Sequence, residues 1–300
     1  MTTTDRGPVD SRLRGGCAFV LGGGGSLGAY EVGMLKALLE AGIEPDLVLG
    51  TSVGAINGAL VAADPSAASV ERLSTLWQGL GRAGVFAGSL MGRVGTAVRS
   101  RTHIYSNSSL RVLLERDLGK PAIEDLAVPY QCVAACIERS AEHWFSSGPL
   151  VPAILASSAV PGLLPPVHID GEHFLDGGLV NSIPVGRAVA LGARTVYVLQ
   201  VGRIEQPLTA PRQPWEVASV CFEIARRHRF ARDMADLPDD VTVHVLPTGT
   251  GPAQRVGPAQ QLRHRDFGSA RERIERAYLA SRAYLASPGP ATATATDGRR

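Results

Sequence analysis

The chain has 300 residues, and its 30 basic and 28 acidic side chains leave a formal net charge of +2. This balance excludes the strongly basic surface of a nucleic-acid-binding protein, so any attraction to a membrane surface must be local. A hydrophobic content of 45% is enough for a sizeable core, and the length favours one large domain over two small ones.

Compartment and metal content are predicted from the cysteines and the termini. The cysteines show neither a Cys-x-x-Cys pair nor zinc-ligand spacing, so we expect reduced thiols, a cytoplasmic protein and no bound metal or other cofactor. The N-terminus lacks the apolar run of a signal peptide, and no apolar run is long enough to span a bilayer. The four cysteines are Cys17, Cys132, Cys136 and Cys221.

The domain is expected to span residues 15–286, between a flexible N-terminal tail at 1–14 and a disordered C-terminal tail at 287–300. The second tail, SPGPATATATDGRR, is small, polar and rich in Pro, Ala and Thr, so it has nothing to pack. Residues 66–110 differ from the rest of the domain, because their glycine density argues against a long rigid helix. This segment is interpreted as either a mobile cap over a site or a surface excursion.

Apolar runs typical of buried strands alternate with helical patterns along the chain. The strand predicted at Cys17 to Leu21 precedes a glycine loop and a helix from Ala29 to Ala41, and the strand at 47–49 precedes a helix from 55 to 63. This alternation predicts an α/β sandwich built on a mostly parallel sheet. Later strands are predicted at 128–137, 195–201 and 241–246, and later helices at 215–236 and after Ser269.

The glycine loop LGGGGSLGAYEVG at residues 21–33 has two interpretations. Gly23, Gly25 and Gly28 match the G-x-G-x-x-G fingerprint of a dinucleotide site. That fingerprint requires an acidic residue at the end of the second strand, but Asp46 precedes that strand and is expected at its opposite end. The alternative is that backbone N–H groups of the loop form an oxyanion hole.

The second strand is followed directly by GTSVG, residues 50–54, which is a G-x-S-x-G sequence. Gly50 and Gly54 permit a sharp strand-to-helix turn that presents the hydroxyl of Ser52, as in a nucleophile elbow. The alternative is a helix start with a capping serine. Because the two turns follow adjacent parallel strands, we expect the glycine loop to lie beside Ser52.

A nucleophilic serine requires a base, and from the residues alone its identity stays open. Asp176 lies in FLDGGLVNSIPV, where two glycines follow a short strand, although such a sequence is also typical of a plain turn. None of the histidines lies in a recognisable motif, and His173, three residues before Asp176, reads as structural or exposed. The histidines are His103, His143, His168, His173, His228, His244 and His264.

Between Gly16 and Val201 the chain resembles the patatin-like phospholipases. Four blocks occur in the order of that family: the glycine loop, the elbow GTSVGAINGA, ASSAVPGLLPPV at 156–167, and DGGLVNSIPV at 176–185. The resemblance implies a three-layer α/β/α sandwich. It also implies a lipid acyl hydrolase of the phospholipase A or lysophospholipase type that uses no cofactor.

Carried over to this chain, the resemblance implies that Ser52 is the nucleophile and Asp176 its direct partner. The backbone of Gly23, Gly24 and Gly25 would form the oxyanion hole, and the reaction would pass through an acyl-enzyme. Many relatives carry Arg or Lys where this chain has Leu27, so neutral esters are open as substrates. The expected partners are a lipid or other acyl ester and, transiently, a membrane surface, with no nucleic acid.

Three alternatives accompany this interpretation. An α/β-hydrolase with a Ser-Asp-His triad would use His228, His244 or His264 as its base. A phosphate- or nucleotide-binding module would use the glycine loop without catalysis. A membrane-associated scaffold would be anchored by the basic stretch at 226–232, which otherwise reads as a solvated helix face.

Overall fold

The computed structural model describes residues 16–83, 103–201, 207–249 and 270–287. Both predicted tails therefore lie almost entirely outside the described residues. The strands are β1 Cys17–Leu21, β2 Leu47–Thr51, β3 Tyr130–Cys136, β4 Ala141–Phe145, β5 Val167–Ile169, β6 Glu172–Asp176, β7 Thr195–Leu199 and β8 Thr242–Val245. The helices are α1 Ala29–Glu40, α2 Val53–Ala63, α3 Ala67–Ala83, α4 Ser108–Leu118, α5 Leu150–Ser157, α6 Val185–Ala190, α7 Pro214–Ala235 and α8 Ala270–Ala286.

The strands form one mixed sheet, in which hydrogen-bonded neighbours follow the order β5-β6-β3-β2-β1-β7-β8 and β4 also pairs with β3. The pairs from β3 through β2, β1 and β7 to β8 are parallel, as predicted. β4, β5 and β6 add an antiparallel part beside β3. The α/β prediction is therefore confirmed, and the antiparallel part is a finding of the structure.

The sheet is covered on both faces, which confirms the α/β/α sandwich. Phe19 and Leu21 of β1 pack into one apolar cluster with α1, α2 and α8. Ala18 and Val20 of the same strand pack into a second cluster with α6 and Phe230 of α7. Because successive residues of a strand point to opposite faces, β1 has no polar face and is buried on both sides.

The register along β3 brings two strand ends together. Val133 pairs with Thr51 of β2 and with a residue of β4, and Ala134 pairs with Asp176 of β6 and with the preceding residue of β4. Since β4 occupies one edge of β3, β2 and β6 must share the other. The two strands run towards each other along that edge, and their C-terminal ends meet.

The first part of the glycine-rich segment differs from the prediction. Residues 67–83 form α3, a helix of 17 residues that contains Gly79 and Gly81. Leu73, Leu76 and Trp77 of this helix are buried against the core. Packing of an apolar helix face outweighs the low helix propensity of glycine. Residues 84–102 lie outside the described residues, so the predicted cap stays a prediction.

Candidate active site

Ser52 lies in a sharp turn between β2 and α2. Its backbone angles are φ 56° and ψ −120°, a left-handed conformation that a serine rarely adopts. A Cβ on Gly54 would lie 2.3 Å from the carbonyl oxygen of Leu21, and one on Gly50 would lie 2.5 Å from the carbonyl oxygen of Gly54. The glycines of G-x-S-x-G are thus required by close backbone contact, as expected for a nucleophile elbow.

The hydroxyl of Ser52 contacts the side chain of Asp176. Ser52 Oγ donates a hydrogen bond of 2.6 Å to Asp176 Oδ2, and both residues are buried. The bond joins the ends of β2 and β6, which the register of β3 brings together. The structure therefore places the two sequence-predicted residues side by side, with the serine as donor and the carboxylate as acceptor.

The environment of Asp176 sets its affinity for protons. Only 2% of Asp176 is exposed, and burial raises the pKa of its carboxyl to about 6. The hydrogen bonds from Ser52 Oγ and from the N–H of Gly178, 2.8 Å from Oδ1, oppose this rise because they stabilise the carboxylate. A carboxylate with such a pKa is ionised at neutral pH and accepts a proton more readily than an ordinary aspartate.

The two glycines after Asp176 allow its turn to pack closely. A Cβ on Gly177 would lie 2.1 Å from the carbonyl oxygen of Val133, and one on Gly178 would lie 2.4 Å from the ring of Phe222. The turn is thus enclosed between β3 and α7. Because neither position has room for a side chain, the DGG sequence is a steric requirement as well as a flexible turn.

The end of α5 holds both Ser52 and Asp176 in place. The N–H of Ser52 donates to Ser157 Oγ at 3.0 Å, and Ser158 Oγ donates to the carbonyl oxygen of Ser52 at 3.1 Å. The N–H of Asp176 donates to the carbonyl oxygen of Ala159 at 3.0 Å. Sequence reasoning missed these serines as site residues. The available signal was a pair of serines directly after the apolar run AILA, within a family block.

The glycine loop lies beside the elbow because β1 and β2 are adjacent and parallel, with Leu21 paired to Gly50. The N–H of Gly23 donates to the carbonyl oxygen of Ser182 at 3.0 Å, so this N–H is already engaged. Among the described residues, no backbone carbonyl accepts from the N–H of Gly24 or Gly25. Gly25 has a φ of 57°, and a Cβ there would meet nothing within 4 Å.

A buried polar network supports the helix that follows the glycine loop. The side-chain amide of Asn57 donates to Glu31 Oε2 at 2.7 Å and to the carbonyl oxygen of Gly28 at 3.0 Å. Trp77 Nε1 donates to Asn57 Oδ1 at 3.0 Å. Burial raises the pKa of Glu31 well above its ordinary value, although the bond from Asn57 opposes it. The network ties α1, α2 and α3 together behind the loop.

Asp46 lies at the end of the sheet opposite to the glycine loop, as the sequence predicts. Its Oδ2 accepts a 2.7 Å hydrogen bond from the N–H of Cys17, the first residue of β1. Ser52 follows the last residue of the adjacent strand β2, so Asp46 and the glycine loop lie at opposite ends of these strands. An acidic partner for a nucleotide ribose is thus missing where the dinucleotide fingerprint requires one.

The histidines considered as alternative bases lie in different surroundings where the structure describes them. His173 Nδ1 lies 2.7 Å from Glu138 Oε1, and strand alternation places it on the face of β6 opposite to Asp176. His244 is in β8, three strands from β2 and therefore about 14 Å away. His228 is exposed on α7. His264 lies outside the described residues.

The basic stretch of α7 is largely engaged within the fold. Arg226 is buried and pairs with Glu223, while Arg229 lies 3.0 Å from Asp233. Ile224, which precedes this stretch in α7, is exposed. Some cationic side chains of this stretch therefore lie in the protein interior and others at the surface, and some of them form ion pairs.

All four cysteines are free thiols. Burial raises the pKa of the Cys17 thiol and that of the Cys132 thiol to about 12. Only Cys221 is exposed. Among the residues that the structure describes, no helix is long and apolar enough to cross a bilayer.

Comparison with known proteins identifies the family. Residues 19–189 match the model of the patatin-like phospholipases, and the chain belongs to this family. It is 37% identical over 191 residues to a patatin-like phospholipase domain-containing protein of Caenorhabditis elegans. It is 36% identical over 187 residues to patatin-like phospholipase domain-containing protein 6 of the mouse. Over 189 residues it is 35% identical to lysophospholipase nte1 of Aspergillus terreus.

These relatives are much longer than the matched region. Each alignment covers 62% of this chain but only 12 to 14% of the relative. Among solved structures, VipD from Legionella pneumophila aligns with 96% of this chain and 72% of its own, with a TM-score of 0.41 and 14% identity. The family assignment therefore depends on the matched domain, which contains Ser52 and Asp176.

Proposed function

We propose that this protein is a lipid acyl hydrolase in which Ser52 is the nucleophile and Asp176 the general base. The observation that carries the proposal is the 2.6 Å hydrogen bond from Ser52 Oγ to Asp176 Oδ2. It joins a serine in a strained elbow to a buried carboxylate whose pKa is raised to about 6. A nucleophile needs an adjacent base held in hydrogen-bonding contact, and this pair meets that condition.

In the proposed reaction, Ser52 Oγ attacks the carbonyl carbon of the ester while Asp176 accepts its proton. The tetrahedral intermediate collapses when Asp176 returns that proton to the leaving alcohol oxygen, and the acyl group remains on Ser52. Water then attacks the acyl-enzyme with Asp176 again as the base, and Asp176 returns the proton to Ser52 Oγ as the fatty acid leaves. No metal or organic cofactor enters these steps.

The glycine loop is the proposed oxyanion hole. The N–H groups of Gly24 and Gly25, to which no described backbone carbonyl is bonded, support these residues as donors, whereas the engagement of the Gly23 N–H with Ser182 counts against Gly23 as a donor. The missing side chain of Gly23 instead leaves room beside the Cβ of Ser52. One such donor typically contributes about 2.7 to 4 kcal/mol to transition-state stabilisation.

Lysophospholipids, phospholipids and neutral acyl esters are the proposed substrates. Relatives named phospholipase and lysophospholipase support lipid esters as the class. Leu27 replaces a basic residue of many family members, so this position supplies no charge to attract a head-group phosphate. We therefore expect only a weak preference for charged over neutral head groups.

Transient contact with a membrane and a cytoplasmic location complete the proposal. Leu179, directly after the Asp176-Gly177-Gly178 turn, exposes 39% of its surface beside the site. In this proposal, Leu179 is the apolar side chain that meets the acyl chain or the membrane surface. The free cysteines support a reducing compartment.

The test is hydrolysis of p-nitrophenyl butyrate with EDTA present, for the wild type, Ser52→Ala, Asp176→Asn and His173→Ala. Circular dichroism confirms the fold of each variant. We expect the first two variants to lose about 1,000-fold or more in kcat, because each removes one member of the pair. His173→Ala should retain activity, because its side chain faces away from Asp176.

The other outcomes distinguish the alternatives. Activity retained by Asp176→Asn would contradict the dyad, and variants of His228, His244 and His264 would then identify a triad base. Activity retained by Ser52→Ala would reject the serine hydrolase altogether. A screen of lysophosphatidylcholine, phosphatidylcholine and monoacylglycerol with the active wild type then ranks the substrates.

A further inference from the structure

We infer that the hydroxyl of Ser182 is an additional oxyanion-hole donor, aimed at the carbonyl oxygen of the ester that Ser52 attacks. The inference rests on the proposed hydrolase function and adds a side-chain donor to the backbone donors of the glycine loop. Four observations carry it: the anchoring of the Asn181-Ser182 segment, the burial of the hydroxyl, its lack of a partner, and the space that it borders.

The Asn181-Ser182 segment is held against both halves of the site. Thr51 Oγ1, at the elbow, donates to the carbonyl oxygen of Asn181 at 2.9 Å. The N–H of Gly23, in the glycine loop, donates to the carbonyl oxygen of Ser182 at 3.0 Å. The backbone of Ser182 is therefore tied to the two elements that surround the reacting ester, and its position is fixed relative to Ser52.

The Ser182 hydroxyl is buried without a partner. Only 1% of the residue is exposed, and Oγ has no hydrogen-bond partner in the described part of the chain. A buried hydroxyl that makes no hydrogen bond is less favourable than one that is hydrogen-bonded to water, so such groups are rare. A ligand atom in the site would satisfy this donor.

The hydroxyl borders the space left open by Gly23. A Cβ on Gly23 would lie 3.2 Å from Ser182 Oγ and 3.5 Å from Ser52 Cβ. The same position is therefore close to the hydroxyl and to the nucleophilic residue. Since Gly23 has no side chain, the carbonyl oxygen of a bound ester can enter this space.

This arrangement explains how the site compensates for the Gly23 N–H, which is not available as a donor to the substrate. The N–H of Gly23 is used to hold Ser182, so it does not donate to the substrate, and the hydroxyl of the residue it holds takes that role. When Ser52 Oγ bonds to the carbonyl carbon, the C=O electron pair moves to oxygen and Ser182 O–H donates to it. The proton stays on Ser182, and the proton of Ser52 goes to Asp176.

The test measures kcat and KM for p-nitrophenyl butyrate in Ser182→Ala, Ser182→Cys and the control Ser69→Ala. Ser69 is a fully buried serine of α3 whose hydroxyl bonds to the carbonyl oxygen of Ser66. We expect Ser182→Ala to lower kcat about 10- to 100-fold with KM within about twofold, because the interaction forms only in the transition state. The Ser69→Ala control should keep the wild-type kcat per folded molecule.

Ser182→Cys separates hydrogen bonding from packing. The thiol fills the space but donates weakly, so its kcat should stay as low as that of Ser182→Ala. Wild-type kcat in either Ser182 variant, or a rise in KM alone, would overturn the inference while Ser52→Ala remains inactive. If Ser52→Ala is itself active, the proposed function fails first, and the two failures are thereby distinguished.

Discussion

Ser52 and Asp176 are 124 positions apart in the chain, yet Ser52 Oγ donates a 2.6 Å hydrogen bond to Asp176 Oδ2. The contact arises because β2 and β6 run towards each other along one edge of β3 and end at neighbouring residues of that strand. The elbow and the DGG turn are therefore two strand ends facing each other. This geometry leads to the following predictions.

The rate should depend on the protonation of Asp176. Because burial raises the pKa of Asp176 to about 6, the carboxylate is mostly protonated below that pH and cannot accept the proton of Ser52. We expect kcat/KM for a neutral ester to fall about tenfold per pH unit below 6. Stopped-flow assays between pH 4.5 and 8.5 measure this, and a rate that stays constant down to pH 4.5 would contradict Asp176 as the base.

Asp176→Asn should be more stable than the wild type at pH 7.5. The folded-state pKa of about 6 exceeds the ordinary aspartate pKa of 3.8, so the folded chain binds this proton more tightly and its stability falls as pH rises from about 4 to 6. Asparagine removes this cost, which is roughly 3 kcal/mol from a two-unit shift. Urea unfolding should show the largest gain above pH 6 and little near pH 4.

A pH-independent difference between Asp176→Asn and the wild type would contradict that prediction. Glu31 is also buried with a raised pKa, so the wild-type curve alone contains more than one titration. Only the difference between the two curves isolates Asp176.

The elbow glycine Gly54 should not tolerate alanine. A Cβ there would lie 2.3 Å from the carbonyl oxygen of Leu21, so we expect Gly54→Ala to lose about 3 kcal/mol of stability or more. Gly79→Ala is the matched control, because a Cβ at Gly79 meets nothing within 4 Å in α3. That variant should gain about 0.5 to 1 kcal/mol in urea unfolding, since alanine favours helix. Equal effects of the two substitutions would refute the steric argument.

Thr51→Val should loosen the contact between the elbow and the segment after Asp176. It removes the 2.9 Å bond from Thr51 Oγ1 to the carbonyl oxygen of Asn181 and leaves that buried acceptor unpaired. We expect a stability loss of about 1 to 3 kcal/mol and a lower kcat at unchanged KM. Thr75→Val removes an exposed bond to Glu71 in α3 and should change stability by less than about 0.5 kcal/mol.

Much of the parallel part of the fold was predictable from local sequence. An apolar run bounded by glycine on both sides predicts β1, and a second apolar run directly before GTSVG predicts β2. The helical spacing after them predicts α1 and α2. The elbow was predictable because G-x-S-x-G has a steric basis at a strand-to-helix turn. By contrast, α3 was missed, because its buried leucines and Trp77 form a helix despite their glycine neighbours.

The sequence indicated one candidate nucleophile, but it left several candidates for the base. The residues alone offered Asp176 and seven histidines as candidates, and the order of the family motifs favoured Asp176. The structure turns His173 to the opposite face of β6 and places His244 three strands away. For Ser157 and Ser158 the local sequence offered only a pair of serines after an apolar run, and for the engaged N–H of Gly23 it offered nothing, because their partners come from distant segments.

The sequence by itself determined the elements whose information is local: the strand, glycine turn and helix units, the strained position of Ser52, and the glycines that close backbone contacts require. Only the tertiary structure decided that β2 and β6 meet on one edge of β3, so that Ser52 reaches Asp176. The physical reason is that strand register is set by contacts between segments far apart in the chain, and hydrophobic periodicity within one segment does not encode them.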